Sequence, residues 1–169
     1  MLEGAVTHIS ETDIVLRIIL ATVLSSIVGI EREFHHKPAG LRTNVMVGLG
    51  SCLFTLVSIR ATDIFPTLSA IDPTRIAAQI VTGIGFLGAG TILFEKDRSS
   101  VIGLTTAATL WVVAAVGTAI GMGLYLEAIV GTLMVFFTFL VLSKVVNEVR
   151  KRSTDHVEHG DTAMEANKQ

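Results

Sequence analysis

Residues 99–143 read SSVIGLTTAATLWVVAAVGTAIGMGLYLEAIVGTLMVFFTFLVLS, and Glu127 is the single charged residue among these 45. A membrane-spanning helix needs about 17–25 mostly apolar residues, so this stretch is too long for one span and long enough for two. Gly121-Met122-Gly123 supplies the break, because glycine lowers helix propensity and favours turns. The stretch therefore predicts two helices, near 101–120 and 123–144.

The rest of the chain carries three more apolar intervals of similar length, which predict helices near 14–31, 43–60 and 74–94. Hydrophobic residues make up 50% of the sequence, charged residues only 17%, and the mean hydropathy is +0.64. These values exclude a water-soluble enzyme, because too few polar side chains remain to cover its surface. A net charge of −2 argues against a nucleic-acid partner. We predict an all-α, polytopic integral membrane protein built as a five-helix bundle.

The distribution of basic residues predicts the orientation of this bundle. Ten of the 13 Lys and Arg residues lie in the connections after the first and third helices and in the C-terminal tail. Basic residues favour the cytoplasmic side of the inner membrane, so the N-terminus is expected outside and the C-terminus in the cytoplasm. The predicted domains are an external segment at 1–13, a membrane domain at 14–144 and a polar cytoplasmic tail at 145–169.

A glycine-rich string, Gly-Ile-Gly-Phe-Leu-Gly-Ala-Gly, occupies residues 83–90 of the third predicted helix. Its Gly-x-Gly-x-x-Gly spacing occurs in dinucleotide-binding turns, but those need a preceding strand and an aqueous turn. In a membrane, small residues allow helix backbones to approach closely, and Ala78, Thr82, Gly85 and Ala89 share one helical face. We expect this face to pack against another helix. The alternative is a loosened backbone that exposes its carbonyl groups to a cavity.

Ionisable and amide side chains within or beside the predicted spans form a second set of candidates. Ionisable groups inside a membrane tend to pair with one another or to line an aqueous pocket. Asp72 also precedes a helix start, where its carboxylate can cap the first turn. The set therefore indicates either structural pairing or a functional site near the outer leaflet, and it comprises Arg17, Asp72, Arg75, Gln79 and Glu127.

The chain contains no pattern that we interpret as catalytic. The two adjacent histidines, His35 and His36, point to different faces of a helix and have no third ligand at matching spacing. No nucleophile elbow and no carboxylate pair at catalytic spacing occurs either. We expect no enzyme activity, no metal site and no cofactor. Trp111 lies near the middle of a predicted span, and we expect it to be buried between helices.

Several motifs in a fixed order resemble the membrane domain of the MgtC/SapB family. The resemblance covers roughly residues 14–143, and it implies about five helices with the N-terminus outside. Some family members add a soluble cytoplasmic C-terminal domain, whereas here the expected domain is followed by a short tail. The matching motifs are Gly-Ile-Glu-Arg-Glu at 29–33, Lys-Pro-Ala-Gly-Leu-Arg-Thr at 37–43, Asp-Pro-Thr-Arg-Ile-Ala-Ala-Gln at 72–79, the glycine string at 83–90, and Gly-Leu-Thr-Thr-Ala-Ala at 103–108 followed by Trp111.

The resemblance also implies a function. The virulence factor after which the family is named is linked to growth at low magnesium and survival inside macrophages. It is regarded as not itself a magnesium transporter, and it is reported to restrain the proton-translocating ATP synthase through that enzyme's membrane sector. The polar motif positions that the resemblance marks as candidates in this chain are Glu31, Arg32, Arg42, Asp72, Arg75 and Gln79.

We therefore expect a regulatory protein of the bacterial inner membrane that responds to low magnesium. It would act as a homo-oligomer or by binding another membrane complex, with the ATP synthase membrane sector as one such partner. The alternative is a small ion or solute permease, whose site would lie near Asp72, Arg75, Gln79 and Glu127.

Overall fold

In the computed structural model the chain is mostly helical, and the structure describes residues 9–65, 72, 74–95 and 100–141. It divides into two compact units, one up to Leu133 and one from Met134, and the contacts below all lie in the first. The predicted tail at 145–169 lies outside the described residues, as does most of the N-terminal segment. In chain order the elements are α1 (Glu11–Phe34), α2 (Leu41–Ile64), α3 (Thr74–Gly90), β1 (Leu93–Glu95), β2 (Ser100–Ile102), α4 (Leu104–Met122) and α5, described over Tyr125–Val141.

Local sequence signals explain where these helices begin and end. The Ser10 hydroxyl caps α1 by accepting the backbone N–H of Asp13 at 3.1 Å. Arg32 lies in the last turn of α1, where its positive charge complements the helix dipole. At the end of α4, Gly123 adopts a left-handed conformation with φ of 82°, which glycine takes without strain. The α4 to α5 connection is therefore a glycine turn, as the sequence predicts.

The chain is mostly helical, as predicted, but the predicted helix boundaries are wrong in the connection between α3 and α4. Strands β1 and β2 pair antiparallel there, with Phe94 opposite Val101, in residues that we expected to be helical up to 94 and again from 101. Hydropathy does not separate a short apolar strand from the end of an apolar helix, which explains the error. Gly103 follows the hairpin with φ of 92°, and a Cβ there would overlap the carbonyl of Thr91. The hairpin thus returns the chain tightly into α4.

Helices α1, α2 and α4 form the centre of the protein through residues without bulky side chains. A Cβ on Gly117 of α4 would overlap the carbonyl oxygen of Gly48 in α2. A Cβ on Gly48 would in turn overlap the Ser25 hydroxyl of α1. One turn beyond Gly117, a Cβ on Gly121 would lie 2.6 Å from the Cβ of Thr55. Because each of these distances is too short for another side chain, the backbones of α2 and α4 meet at glycine, and the Ser25 side chain of α1 packs against the same contact.

The buried centre contains small polar residues among its apolar ones, and many large apolar side chains lie on the exterior. Ser25, Asn44 and Thr55 are buried, whereas the side chain of Phe86 is 82% exposed. The Thr55 hydroxyl donates to the carbonyl of Ser51 at 2.8 Å, so it meets its hydrogen-bonding need within its own helix. A large apolar exterior indicates lipid as the surrounding solvent.

The membrane-spanning prediction is confirmed for part of the bundle. Three described helices are long and apolar enough to cross a membrane, namely α1, α2 over Leu41–Thr62, and α4. The described part of α5 is a shorter apolar helix, and α3 has 17 residues. The contacts of Gly48 with Gly117 and of Thr55 with Gly121 show that α2 and α4 run in the same direction, and the contacts between successive helices show that α1 opposes α2 and that α3 opposes α4. Gly29 of α1 faces Leu41 of α2, for example, and Gly88 of α3 faces Ala107 of α4.

Helix α3 packs on α4 and leaves space on the side of α2. Ile84 of α3, Leu110 and Ala114 of α4, and Ala39 of the α1 to α2 connection form a small buried cluster. Between α2 and α3 lies an apolar groove with a volume of about 700 Å³. A second apolar cavity of about 400 Å³ separates α3 from the C-terminal half of α4. Most of the surface of α3 is therefore available to lipid or to another protein.

The glycine contact at the centre yields a stability prediction. We expect Gly117→Ala to destabilise the protein by about 1–3 kcal/mol, because its methyl group meets a rigid backbone carbonyl. Gly50→Ala is the matched control, since a Cβ at that helical glycine meets nothing within 4 Å. Thermal unfolding of both variants in detergent measures the difference. Equal melting temperatures for the two would show that the close contact is not required.

Candidate functional site

One polar site joins α1, α4 and α5, and Arg17 is its central residue. The Arg17 guanidinium lies 2.6 Å from the Asp13 carboxylate, one turn earlier in α1. Its Nη1 donates to the carbonyl of Gly121 at 2.7 Å, and its Nε donates to the Tyr125 hydroxyl at 3.1 Å. That hydroxyl donates to Asp13 Oδ1 at 2.7 Å. We call this network of Asp13, Arg17, Gly121 and Tyr125 the arginine clasp.

The arginine clasp is closed by its own contacts. The Arg17 side chain is only 11% exposed, and it lies 5.8 Å from the centre of the Tyr125 ring. It also satisfies a carbonyl in the last turn of α4, where a helix dipole favours positive charge. Of the two interpretations of Arg17, this geometry favours structural pairing over an open polar pocket.

The other members of the predicted outer set are not assembled around Arg17. Glu127, Arg75 and Gln79 are exposed, and in the described part of the chain their side chains make no hydrogen bond or ion pair. Asp72 caps α3, since its Oδ1 accepts the backbone N–H of Thr74 at 2.8 Å and the Thr74 hydroxyl at 2.7 Å. The predicted capping role of Asp72 is thus observed.

These hydrogen bonds from Thr74 hold the pKa of the Asp72 carboxyl below its ordinary value. Because this pKa is lower in the folded state, the cap contributes fully above the ordinary carboxyl pKa. Its contribution is lost only as pH falls through the lowered value. At neutral pH the carboxylate is ionised, and the start of α3 is insensitive to small changes in pH.

A second polar cluster lies at the other end of α1. Glu31 and Arg32 are buried and form an ion pair, and His35 Nδ1 lies 3.1 Å from Glu31 Oε1. Arg42, the third motif residue on this side, is exposed and forms no ion pair with Glu31. The structure thus brings together two of the three motif residues expected on this side.

The α1 to α2 connection is held by residues that the sequence analysis did not single out. Glu33 Oε2 accepts the backbone N–H of Leu41 at 2.8 Å and so caps α2 from outside the helix. The buried Asn44 side chain donates to the carbonyls of Ala39 and Gly40 at 2.9 and 2.8 Å.

In the arginine clasp, the spacing of Asp13 and Arg17, four residues apart, is a sequence signal for a helical ion pair. Nothing local to Tyr125 reveals its distant partners, Asp13 and Arg17.

Most of the predicted packing face of α3 points away from the rest of the described chain, and Ala78 also lines the smaller cavity beside α4. Ala78, Thr82 and Ala89 are exposed, and a Cβ on Gly85 would meet nothing within 4 Å. Within the glycine string, Gly88 makes the contact with α4, where its Cβ would lie 3.4 Å from that of Ala107. Packing of this face against another chain stays a prediction.

Two further expectations concern Trp111 and metal ions. Trp111 is 47% exposed beside the smaller cavity, so the expectation that it is buried is wrong. A helix centre can present a tryptophan to lipid chains, because the ring is largely apolar. Among the described residues, no group of three or more His, Cys, Asp and Glu side chains is placed to hold a metal ion.

The apolar exterior and the long apolar helices define a multi-pass helical membrane protein. The chain belongs to the MgtC family, and the sequence model of that family matches residues 18–148. No solved structure matches the chain significantly.

Several curated relatives support this assignment. YhiD of Escherichia coli K12, named a candidate magnesium transporter, is 46% identical over 132 residues, which are 77% of this chain and 59% of YhiD. SapB of Bacillus subtilis is 40% identical over 82% of this chain and 60% of its own length. MgtC of Salmonella typhimurium LT2 is 38% identical over 81% of this chain and 55% of its own length. The chain therefore spans a little over half the length of these relatives.

The arginine clasp yields a second prediction. Arg17→Ala removes three hydrogen-bonded contacts and leaves Asp13 without its charge partner, so we expect a loss of about 1.5–3 kcal/mol of stability. The exposed Glu11 and Arg60 pair, 2.9 Å apart, provides the control, and Arg60→Gln is expected to change stability by about 0–1 kcal/mol. Thermal unfolding in detergent compares the two variants. An effect of Arg17→Ala no larger than that of Arg60→Gln would contradict the clasp.

Proposed function

We propose that this protein is a regulatory component of the bacterial inner membrane that acts by binding another membrane protein. All five helices would cross the bilayer, with the N-terminus outside and the C-terminus in the cytoplasm. Helix α3 is about 25 Å long at 1.5 Å per residue, which is close to the thickness of a thin hydrocarbon layer. The names of YhiD and MgtC support a role connected with magnesium.

The free face of α3 carries this proposal. In most packed helices the small residues face a neighbour, as Gly48 and Gly117 do at the centre of this protein. On α3, however, Ala78, Thr82 and Ala89 are exposed, and the space over Gly85 is open. A backbone can approach such a face closely, and close approach is the main source of helix association in lipid.

The second candidate function is transport, which the name of YhiD favours. A permeation path needs polar groups that face a common cavity. In the described residues, Arg17 is enclosed in the arginine clasp, and both cavities beside α3 have mainly apolar linings. This arrangement supports binding through a helix face over conduction through the bundle.

Self-association through the free face of α3 is directly testable. We expect Gly85→Leu to weaken an oligomer at least severalfold, because its side chain fills the space that a partner backbone would enter. Gly90→Leu is the matched control, since it makes the same change in the same helix at another open glycine. Crosslinking in membranes, followed by counting of the subunits, measures the effect. An oligomer that both variants leave unchanged would refute self-association through this face.

Binding to the ATP synthase membrane sector forms the second test of the proposal. The tagged protein is expected to crosslink to that sector in mild detergent and to reduce ATP-driven proton pumping in inverted vesicles. Gly85→Leu should lessen both effects, and Gly90→Leu should preserve them. Unchanged pumping without a specific crosslinked partner would contradict the regulatory role. Magnesium flux in proteoliposomes above protein-free controls would favour transport instead.

A further inference from the structure

The groove between α2 and α3 is distinct from the free face of α3. Gly83 and Leu87 line it from α3, and Met46, Gly50 and Phe54 line it from α2. Met46 and Phe54 are 70% and 60% exposed, so the groove opens outward to the surroundings of the protein. In a membrane, those surroundings are lipid chains.

The dimensions of the groove match those of one lipid chain. Its lining extends from Thr43 to Phe54 along α2, which corresponds to about 16 Å at 1.5 Å per residue. The hydrocarbon core of a bilayer is about 30 Å thick, so each leaflet contributes about 15 Å. The length of the groove is therefore about equal to the depth of one leaflet, which an acyl chain spans.

The charge at the Thr43 end identifies the chemistry of the headgroup. Arg42 immediately precedes Thr43, is exposed, and has no ion-pair partner in the described part of the chain. Glu33, the nearby acidic residue, accepts the backbone N–H of Leu41. A guanidinium group binds phosphate well because several of its N–H groups can donate to it.

The opposite end of the groove is less suited to an anion. Arg75 precedes Ile76, which lines that end, but the acidic residue Asp72 lies within one turn of it, and the Asp72 carbonyl accepts the backbone N–H of Arg75 at 3.2 Å. Part of the positive charge of Arg75 is thus offset by a carboxylate. The two arginines therefore differ in the charge that they offer to a headgroup.

We propose that the groove between α2 and α3 binds an anionic phospholipid, with one acyl chain along Gly83 and Gly50 and the phosphate at Arg42. The lipid would come from the leaflet on the side of the α1 to α2 connection. It would fill the space between α2 and α3 and hold α3 at a fixed distance from the central helices.

Native mass spectrometry of the detergent-purified protein tests this assignment, with phosphatidylglycerol and phosphatidylcholine of identical acyl chains added in equal amounts. The wild type is expected to bind phosphatidylglycerol about fivefold more tightly, the effect of one basic side chain near an anionic lipid. Arg42→Gln should bring the two affinities to within about twofold. Arg42→Lys, which keeps the charge, and Arg75→Gln should both retain the preference.

A second pair of variants tests the acyl-chain site. Gly83→Leu places a large side chain in the groove, so it should lower the binding of both lipids by several fold. The helix should tolerate the change, because a Cβ on Gly83 meets nothing within 4 Å. Gly90→Leu, which is outside the groove, should have no effect. Thermal unfolding confirms that each variant is folded.

Several results would overturn the proposal. These are equal binding of the two lipids by the wild type, a preference that survives Arg42→Gln, and a preference that Arg75→Gln removes instead. Undiminished lipid binding by Gly83→Leu would show that the groove is not the site. A change in the number of subunits caused by Gly83→Leu alone would show that a second copy of the chain occupies the groove.

Discussion

The contact between Gly48 and Gly117 is the constraint on which the rest of the structure depends. Because neither residue has a side chain, the backbones of α2 and α4 touch, and Ser25 of α1 fits against the same glycine. No hydrophobic effect drives helices together within lipid, so association relies on the van der Waals contact and polar bonds that such closeness permits. The three central helices consequently form a unit in which each helix is positioned by the other two.

The arginine clasp depends on that close packing. Arg17 reaches the carbonyl of Gly121 because α1 and α4 are adjacent at that level, and it reaches Tyr125 because a glycine turn brings α5 back beside α4. Its charge is compensated by Asp13, and its donors are used by the backbone and the tyrosine. An ionisable group inside the membrane is therefore explained by structural pairing.

Helix α3 follows a different pattern from the central helices. Its contact with α4 uses Ile84 and Gly88, and its remaining faces meet an apolar groove, a smaller cavity and open surroundings. The surfaces that we propose for binding another protein and a lipid thus both lie on α3. The glycines of the two groups differ in their surroundings, since Gly117 is enclosed by α2 and the space over Gly85 is open.

The sequence by itself determined the class of protein, the approximate positions of the helices, the capping role of Asp72 and the glycine turn after α4. These features follow from local composition and spacing, because an apolar run of membrane length and a helix cap are properties of neighbouring residues. The sequence did not reveal the hairpin between α3 and α4, because a short apolar run has the same hydropathy whether it forms a strand or the end of a helix. Tertiary structure alone decided which glycines touch another helix, where Arg17 finds its partners and which face of α3 stays open. Those outcomes depend on distances between residues far apart in the chain, such as Arg17 and Tyr125, which no local pattern encodes.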